Sequence, residues 1–270
     1  MYRRKFKTRL LASAAVFAAL TMAGCSTMNT AGTTGSVASG AVPKSESDWR
    51  RETEIRGERY RQNQKDADAA VGYAQALRVT GQRTQAVAVL EQASIYNPRN
   101  TTVLGAYGRA LAETGSLSQA LDVLGRAHTP DQPDWRILSA QGTVLDQMGR
   151  HDDARRHYTS ALKIVPDEPS VTSNLGLSYA LSKDLRKAEE TLRRASAQSG
   201  AEPRVRQNLA LVVGLQGRFE EAETIARGDL APDQAAANLD FLRHMLAEEK
   251  SGKKGRGRAL KQAARSEPDA

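Results

Sequence analysis

A 34-residue period is the feature that most constrains the fold of this chain. Five alanines recur at this spacing through four intervals without an insertion: Ala86, Ala120, Ala154, Ala188 and Ala222. Five residues before each alanine stands a residue suited to a turn, namely Gly81, Gly115, Gly149, Lys183 or Gly217. A regular period of this length is typical of a solenoid of stacked helical hairpins, in which each unit buries its apolar face against its neighbours.

The residue types at these positions explain how such a hairpin closes. Two antiparallel helices approach closely only where the contact residues are small. The repeated alanines supply one side of that contact, and small residues twelve positions earlier supply the other: Ala74, Gly108, Gly142, Gly176 and Ala210. The turn glycines suit a left-handed residue just past the first helix. A side chain disfavours that conformation, so we expect a strained or altered turn at Lys183.

The periodic pattern predicts an all-α chain with defined boundaries. Five full units cover residues 67–232, a degenerate partial unit covers 48–66, and a capping helix covers 233–250. Leu239, Leu242 and Leu246 lie on one face of the predicted cap, where they can cover the last unit. Residues 251–270 are basic and poor in apolar residues, so we expect a disordered tail that either solubilises the protein or contacts anionic cell-wall polymers.

The N-terminus has the pattern of an export signal. Five Lys or Arg residues precede an uncharged run over residues 10–24, which is too short to span a membrane. The sequence "TMAGC" ends at Cys25, the sole cysteine, and resembles the lipobox of bacterial lipoproteins. That resemblance implies a signal peptide over 1–24 and lipidation of Cys25. The alternative is cleavage nearby that leaves Cys25 as a free thiol.

Residues 25–47 are dominated by Ser, Thr, Gly and Ala, which favours a flexible tether. Ser26 follows the cysteine, as in lipoproteins forwarded to an outer membrane. The resemblance therefore implies lipid anchoring at the periplasmic face of the outer membrane of a Gram-negative bacterium. The chain would contact the membrane through this anchor.

The net charge of +8 does not indicate a nucleic-acid partner. Its positive excess lies in the predicted signal and tail, and the body between them is nearly neutral. A nucleic-acid-binding face needs a concentrated row of cations, which the body lacks. We therefore expect no nucleic acid among the partners.

The body shows no catalytic or metal-binding constellation. No two of the four histidines, His128, His151, His157 and His244, are spaced three or four residues apart, so a helical metal pair is absent from the sequence. We expect His151 and His157 to be ordinary solvated residues. No phosphate loop or hydrolase constellation is evident. The sequence thus predicts a non-enzymatic protein without a cofactor or a metal.

The segment "SVTSNLGLSYALSKDLRKAEETLRRA" resembles the tetratricopeptide repeat. The resemblance implies a right-handed superhelix whose first helices line a concave groove, and it assigns groove exposure to Gly72, Ala106, Ala140, Asn174 and Asn208. The two asparagines either pair with the backbone of a bound peptide or bond their own scaffold. The candidate groove contacts are Gln75, Arg78, Arg109, Asn174, Gln207 and Asn208. The lysine-rich clamp for an acidic C-terminus is not reproduced.

A narrower resemblance covers the C-terminal part of the array. Residues 207–246, with a shortened last unit "GDLAP" and the cap "AANLDFLR", resemble the TadD lipoproteins of tight-adherence (Flp) pilus assembly. That resemblance implies a membrane-anchored scaffold that helps the pilus secretin, or its associated lipoproteins, to assemble. The alternative is a periplasmic repeat lipoprotein that regulates cell-wall synthesis or another envelope complex.

Overall fold

The computed structural model describes residues 45–129 and 131–265, and every regular element in these two ranges is a helix. The helices are α1 (Glu46–Gln62), α2 (Ala67–Val79), α3 (Arg83–Tyr96), α4 (Thr101–Glu113), α5 (Leu117–Arg126), α6 (Trp135–Gln147), α7 (His151–Ile164), α8 (Pro169–Leu181), α9 (Leu185–Ala197), α10 (Pro203–Leu215), α11 (Phe219–Ala226) and α12 (Pro232–Arg265).

The helices from α2 to α11 form five hairpins, with α1 and α12 packed at the two ends. The first helices of adjacent units contact one another in the series α2, α4, α6, α8, α10 and α12. The second helices, α3, α5, α7, α9 and α11, make no such contacts among the described residues. Because the first helices lie closer together, they form the inner layer of a curved stack. The all-α repeat solenoid predicted from the sequence is confirmed.

Close contacts inside each hairpin occur at the small residues of the repeat. The alanines of the 34-residue period are completely buried: Ala86, Ala120, Ala154, Ala188 and Ala222. A Cβ atom placed on Gly108 would lie 2.5 Å from Cγ of Leu124, and one placed on Gly176 would lie 2.7 Å from Cγ of Leu192. The first and second helices of these units therefore approach too closely to admit a larger residue.

The turns inside the hairpins all use a left-handed residue. Gly81, Gly115, Gly149 and Gly217 have φ between 76° and 85°, and Lys183 has φ of 68°. The turn at Lys183 keeps the hydrogen bonds of the glycine turns. Its amide donates to the carbonyl of Ala180 (2.9 Å), as the amide of Gly81 donates to that of Arg78 (3.2 Å). The turn is therefore not altered, and its cost is the left-handed conformation of a residue with a side chain.

The N-terminal boundary differs slightly from the prediction. Helix α1 begins at Glu46, inside the predicted 25–47 tether, and ends at Gln62. Ser45 caps it: Oγ of Ser45 accepts from the amide of Asp48 (3.2 Å), and the Asp48 carboxylate accepts from the amide of Ser45 (2.8 Å). This reciprocal capping box fixes the helix start. The signal peptide over 1–24 and the lipidation of Cys25 lie outside the described residues.

The C-terminal boundary requires a correction. The predicted cap over 233–250 is the first half of α12, which starts at Pro232 and continues to Arg265. The helix thus extends past the predicted end of the cap. The expected disorder of residues 251–270 stays a prediction.

Two second helices are shorter than the others. Helix α5 has 10 residues and α11 has 8, whereas α3 and α7 have 14. The short α11 agrees with the shortened last unit inferred from the sequence. The short α5 was not predicted, although Pro130 stands in register with Tyr96 and Ile164, the last residues of α3 and α7. A proline has no amide to donate within a helix.

Adjacent units are also joined by polar contacts. The Glu189 carboxylate on α9 accepts hydrogen bonds from Gln216 (2.8 Å), Arg218 (2.7 Å) and Arg193 (2.9 Å). Burial opposes ionisation of this carboxyl, but the hydrogen bonds from Gln216, Arg218 and Arg193 outweigh it and lower the pKa of Glu189 to about 2.

Within the described ranges, none of the helices combines the length and apolar character needed to cross a bilayer.

Candidate protein-binding site

The first helices carry the predicted groove residues on the inner layer of the stack. Gln75 and Arg78 lie on α2, Arg109 on α4, Asn174 on α8, and Gln207 and Asn208 on α10. All six are half-buried. Their side chains differ in whether the scaffold already uses their polar groups, and that difference decides which of them can bind a partner.

The two asparagines bond the scaffold. Nδ2 of Asn174 donates to Oγ of Ser139 on α6 (3.3 Å), and Nδ2 of Asn208 donates to Oγ of Ser173 on α8 (3.0 Å). Each bond joins the first helices of adjacent units. Of the two interpretations left open by the sequence, the structure shows the scaffold bond. An asparagine amide has a second N–H and a carbonyl oxygen, which these bonds leave unused.

The expected groove exposure of the three small residues at the same register position needs correction. Ala106 and Ala140 are buried, with 7% and 9% of their surface exposed. Gly72 is half-buried, and its carbonyl accepts from Nη1 of Arg56 on α1 (3.1 Å). Adjacent first helices pack against each other at this position, so short side chains there do not reach solvent.

Arg78 is committed to an inter-unit ion pair. Its Nε donates to Oε2 of Glu113 on α4 (2.8 Å), and a second contact from Nη2 makes the pair bidentate. Such a fork-to-fork pair fixes the geometry of both side chains. Arg78 therefore contributes to the joint between units one and two, and its guanidinium is not free for a partner.

Arg109 is the group on this face best suited to bind a ligand. Its guanidinium forms no hydrogen bond or ion pair with any residue that the structure describes, and it is half-buried. Burial lowers the pKa of Arg109, the positive charge of Arg78 lowers it further, and Asp134 and Glu113 act in the opposite direction. A partly desolvated cation with five donors gains free energy when an acceptor reaches it. Gln75 and Gln207 likewise form no hydrogen bond with described residues.

The sequence missed a buried polar cluster at the joint of units three and four. The Asp146 carboxylate accepts from the hydroxyls of Tyr158 (3.0 Å) and Ser178 (2.8 Å), and it contacts Nδ1 of His151 at 2.9 Å. His151 is therefore not the plain solvated residue that we expected. The cluster joins residues of α6, α7 and α8, a set that spacing along one helix cannot reveal.

His157 also differs from the solvated residue expected from the sequence. It is half-buried, and its Nδ1 atom is buried with no hydrogen-bond partner among the described residues. Burial lowers the pKa of His157, and the nearby His128 lowers it further. Within the same part of the chain, no three His, Cys, Asp or Glu side chains are grouped as metal ligands.

The repeat geometry agrees with comparisons to protein families. The sequence profile of the tetratricopeptide repeat matches residues 80–142 and 147–212, and a second profile of the same description matches 135–158 and 203–227. Together these matches run without a gap from residue 80 to residue 227, more than half of the chain. None of the curated proteins compared matches the sequence.

Solved structures share the fold at low sequence identity. PilW, described as a widely conserved type IV pilus biogenesis factor, has a TM-score of 0.58 at 15% identity over 68% of this chain and 86% of its own. PilF from Pseudomonas aeruginosa has a TM-score of 0.51 at 19% identity over 65% and 82%.

A larger assembly protein shows the same architecture. The Cut9–Hcn1 hetero-tetramer of APC/C matches with a TM-score of 0.57 at 18% identity, over 73% of this chain. This chain spans only 40% of that relative. From the profile matches and the five hairpins, the chain belongs to the tetratricopeptide-repeat family, whose members act as scaffolds for protein–protein interactions.

Proposed function

We propose that this protein is a non-enzymatic, membrane-anchored scaffold that assists the assembly or localisation of the secretion machinery of a tight-adherence (Flp) pilus. Its partner in this proposal is the pilus secretin or an associated assembly lipoprotein. The observation that carries the scaffold function is Arg109, a half-buried cation without a partner among the described residues, on the inner face of the stack.

The pilus assignment rests on the C-terminal units. The TadD-like segment over 207–246 contains the short α11 and the first half of α12, which form the distinctive end of the array. A Cβ atom on Gly214 of α10 would lie 2.6 Å from Cδ2 of Leu242, so the cap is fitted closely to the last unit. The fold is shared with PilW, a type IV pilus biogenesis factor, which supports the broader proposal of a role in pilus assembly.

The test of the partner site replaces Arg109 with Gln in cells that make the pilus. We expect partner affinity to fall about tenfold, because one charge-assisted hydrogen bond contributes ~1.5–3 kcal/mol. Folding should persist, since the substitution breaks no ion pair among described residues. The readouts are secretin multimer yield and co-purification of secretin at matched protein level. Arg83→Gln, an exposed arginine at the start of α3, is the matched control.

A separate variant tests the anchor. Cys25→Ser should abolish lipid labelling and release the protein from the membrane fraction, because the predicted signal alone is too short to anchor it. Retention of this variant after a high-salt wash would contradict lipidation.

The Arg109 variant has its own contrary outcome. Normal secretin assembly in the folded Arg109→Gln protein, together with unchanged co-purification of secretin, would contradict the groove assignment.

A further inference from the structure

A cavity lies at the joint between the second and third units, beside the end of the short α5. Helix α5 ends at Arg126, and the linker over 127–134 leads to α6. The cavity has a volume of about 640 Å³, and its lining includes Arg99, Arg126, His128, Asp134, Trp135 and Arg136. Its size lies within the range of ligand-binding clefts.

The linker lengthens at the expense of α5 and leaves the period of the array unchanged. Trp135 begins α6 at 34 residues after Thr101 begins α4, so the units before and after the cavity keep their register. The opening is therefore local to this joint. It does not result from a slip of the whole stack.

Three arginines give the cavity a positive excess. Arg99, Arg126 and Arg136 are exposed, and their guanidinium groups form no hydrogen bond or ion pair with residues in the described ranges. Arg136 lies over the ring of Trp135, with 4.4 Å between its Cζ atom and the ring centroid. Arg136 is thus stacked on an aromatic ring, and the N–H donors of all three guanidinium groups are unused among the described residues.

The one carboxylate that lines the cavity forms no ion pair with these arginines and offsets only one of their three positive charges. Oδ1 of Asp134 accepts from the amide of Arg136 (2.7 Å) and from that of Ile137 (3.4 Å), which caps the start of α6. Asp131 belongs to the same linker but does not line the cavity. The cavity lining therefore carries more positive than negative charge.

His128 also lines the cavity, and one of its ring nitrogens has no hydrogen-bond partner among the described residues. Its Nε2 is 3.3 Å from Oε1 of Gln141, while its Nδ1 is buried and has no hydrogen-bond partner among the described residues. Burial of an unpaired polar atom is costly, and such atoms are commonly satisfied by a ligand or by water. This observation is independent of the arginine cluster.

We propose that this cavity is a second protein-binding site that takes an acidic polypeptide segment. Carboxylates of the segment would bind Arg99 and Arg126, because guanidinium matches carboxylate in a bidentate geometry. An apolar side chain beside them would pack on Trp135. A nucleic acid fits less well, because its backbone requires a continuous row of cations and these three arginines surround one cavity.

The test uses Trp135 as a fluorescent reporter in the full chain. The sequence has two tryptophans, so Trp49→Phe leaves Trp135 as the sole one. Hexaglutamate should change the emission of Trp135 in a saturable titration, and hexaglutamine should not. In the same background, Arg99→Gln with Arg126→Gln should raise the dissociation constant at least tenfold.

A matched double variant separates local binding from general electrostatics. Arg83→Gln with Arg186→Gln also removes two positive charges, but from exposed arginines on α3 and α9. This control should change the dissociation constant less than twofold. Equal weakening in both double variants, or equal binding of hexaglutamine, would overturn the proposal. Tighter binding of hexathymidylate than of hexaglutamate would also overturn it. Unchanged thermal melting of the double variants checks that these comparisons are made on folded protein.

Discussion

A Cβ atom placed on Gly142 would lie 2.6 Å from Cε1 of Tyr158, on the facing helix of the same hairpin. Tyr158 cannot move away cheaply, because its hydroxyl donates to the Asp146 carboxylate (3.0 Å) and lies 3.3 Å from the Thr143 hydroxyl, and its ring is buried. This contact shows why the 34-residue pattern requires a small residue at this position.

Gly142→Ala should destabilise the protein by ~1–3 kcal/mol through overpacking in the third unit. Urea denaturation followed by circular dichroism measures the effect. Gly125→Ala is the matched control, because nothing lies within 4 Å of a Cβ atom at this position in α5. The control should be neutral or stabilising by up to ~1 kcal/mol. Equal destabilisation of both variants would show that the facing helix does not limit the size of residue 142.

Lys183→Gly should stabilise the protein by about 0.5–1 kcal/mol. The substitution relieves the left-handed conformation of Lys183, and the greater entropy of glycine in the unfolded chain offsets part of the gain. Lys163→Gly provides the comparison, because Lys163 is exposed within α7 and glycine there should destabilise by ~1 kcal/mol. Thermal melting of the two variants should therefore shift in opposite directions. A loss of stability in Lys183→Gly would contradict this account of the fourth turn.

Asn208 and Ser173 should be energetically coupled. Removing either side chain breaks the 3.0 Å bond between α10 and α8, and we expect Asn208→Ala to cost ~0.5–1.5 kcal/mol of stability. A double-mutant cycle with Ser173→Ala should give a coupling energy of at least ~0.5 kcal/mol. Additive effects of the two substitutions would mean that the side chains do not stabilise each other, and the asparagine would again be available as a ligand-binding group.

Glu189 should contribute stability that disappears in acid. Its carboxyl has a folded pKa of about 2, below its ordinary value of 4.5, so the unfolded chain takes up a proton first as the pH falls. The contribution should be complete above about pH 5 and decline as the pH falls toward 2. Glu189→Gln should therefore be less stable than the unmodified protein by on the order of 1–2 kcal/mol at pH 7, allowing for solvent screening.

The measurement is the difference in unfolding free energy between these two proteins at pH 7, 4 and 3. Glu190→Gln, which removes an exposed carboxylate from the same helix, is the matched control. A difference for Glu189→Gln that does not vary across this range would contradict the ionised, hydrogen-bonded state of Glu189.

The sequence by itself determined the features that depend on contacts at a constant spacing. The buried alanines and the left-handed turns recur with the period, because each unit repeats the same local packing problem. Lys183 illustrates how strongly this local pattern acts: the turn keeps its geometry even where the residue disfavours it. The fold class was therefore predictable without any knowledge of how one unit is rotated against the next.

Only the tertiary structure decided which polar groups remain free. Asn208 meets a serine 35 residues earlier, Ala106 is covered by neighbouring first helices, and Arg109 has no acidic partner among the described residues. The cavity beside Trp135 likewise depends on where the lengthened linker passes between two units. These outcomes depend on how far adjacent hairpins are rotated and separated. Small packing differences at many residues set that geometry together, so no single spacing in the sequence predicts it.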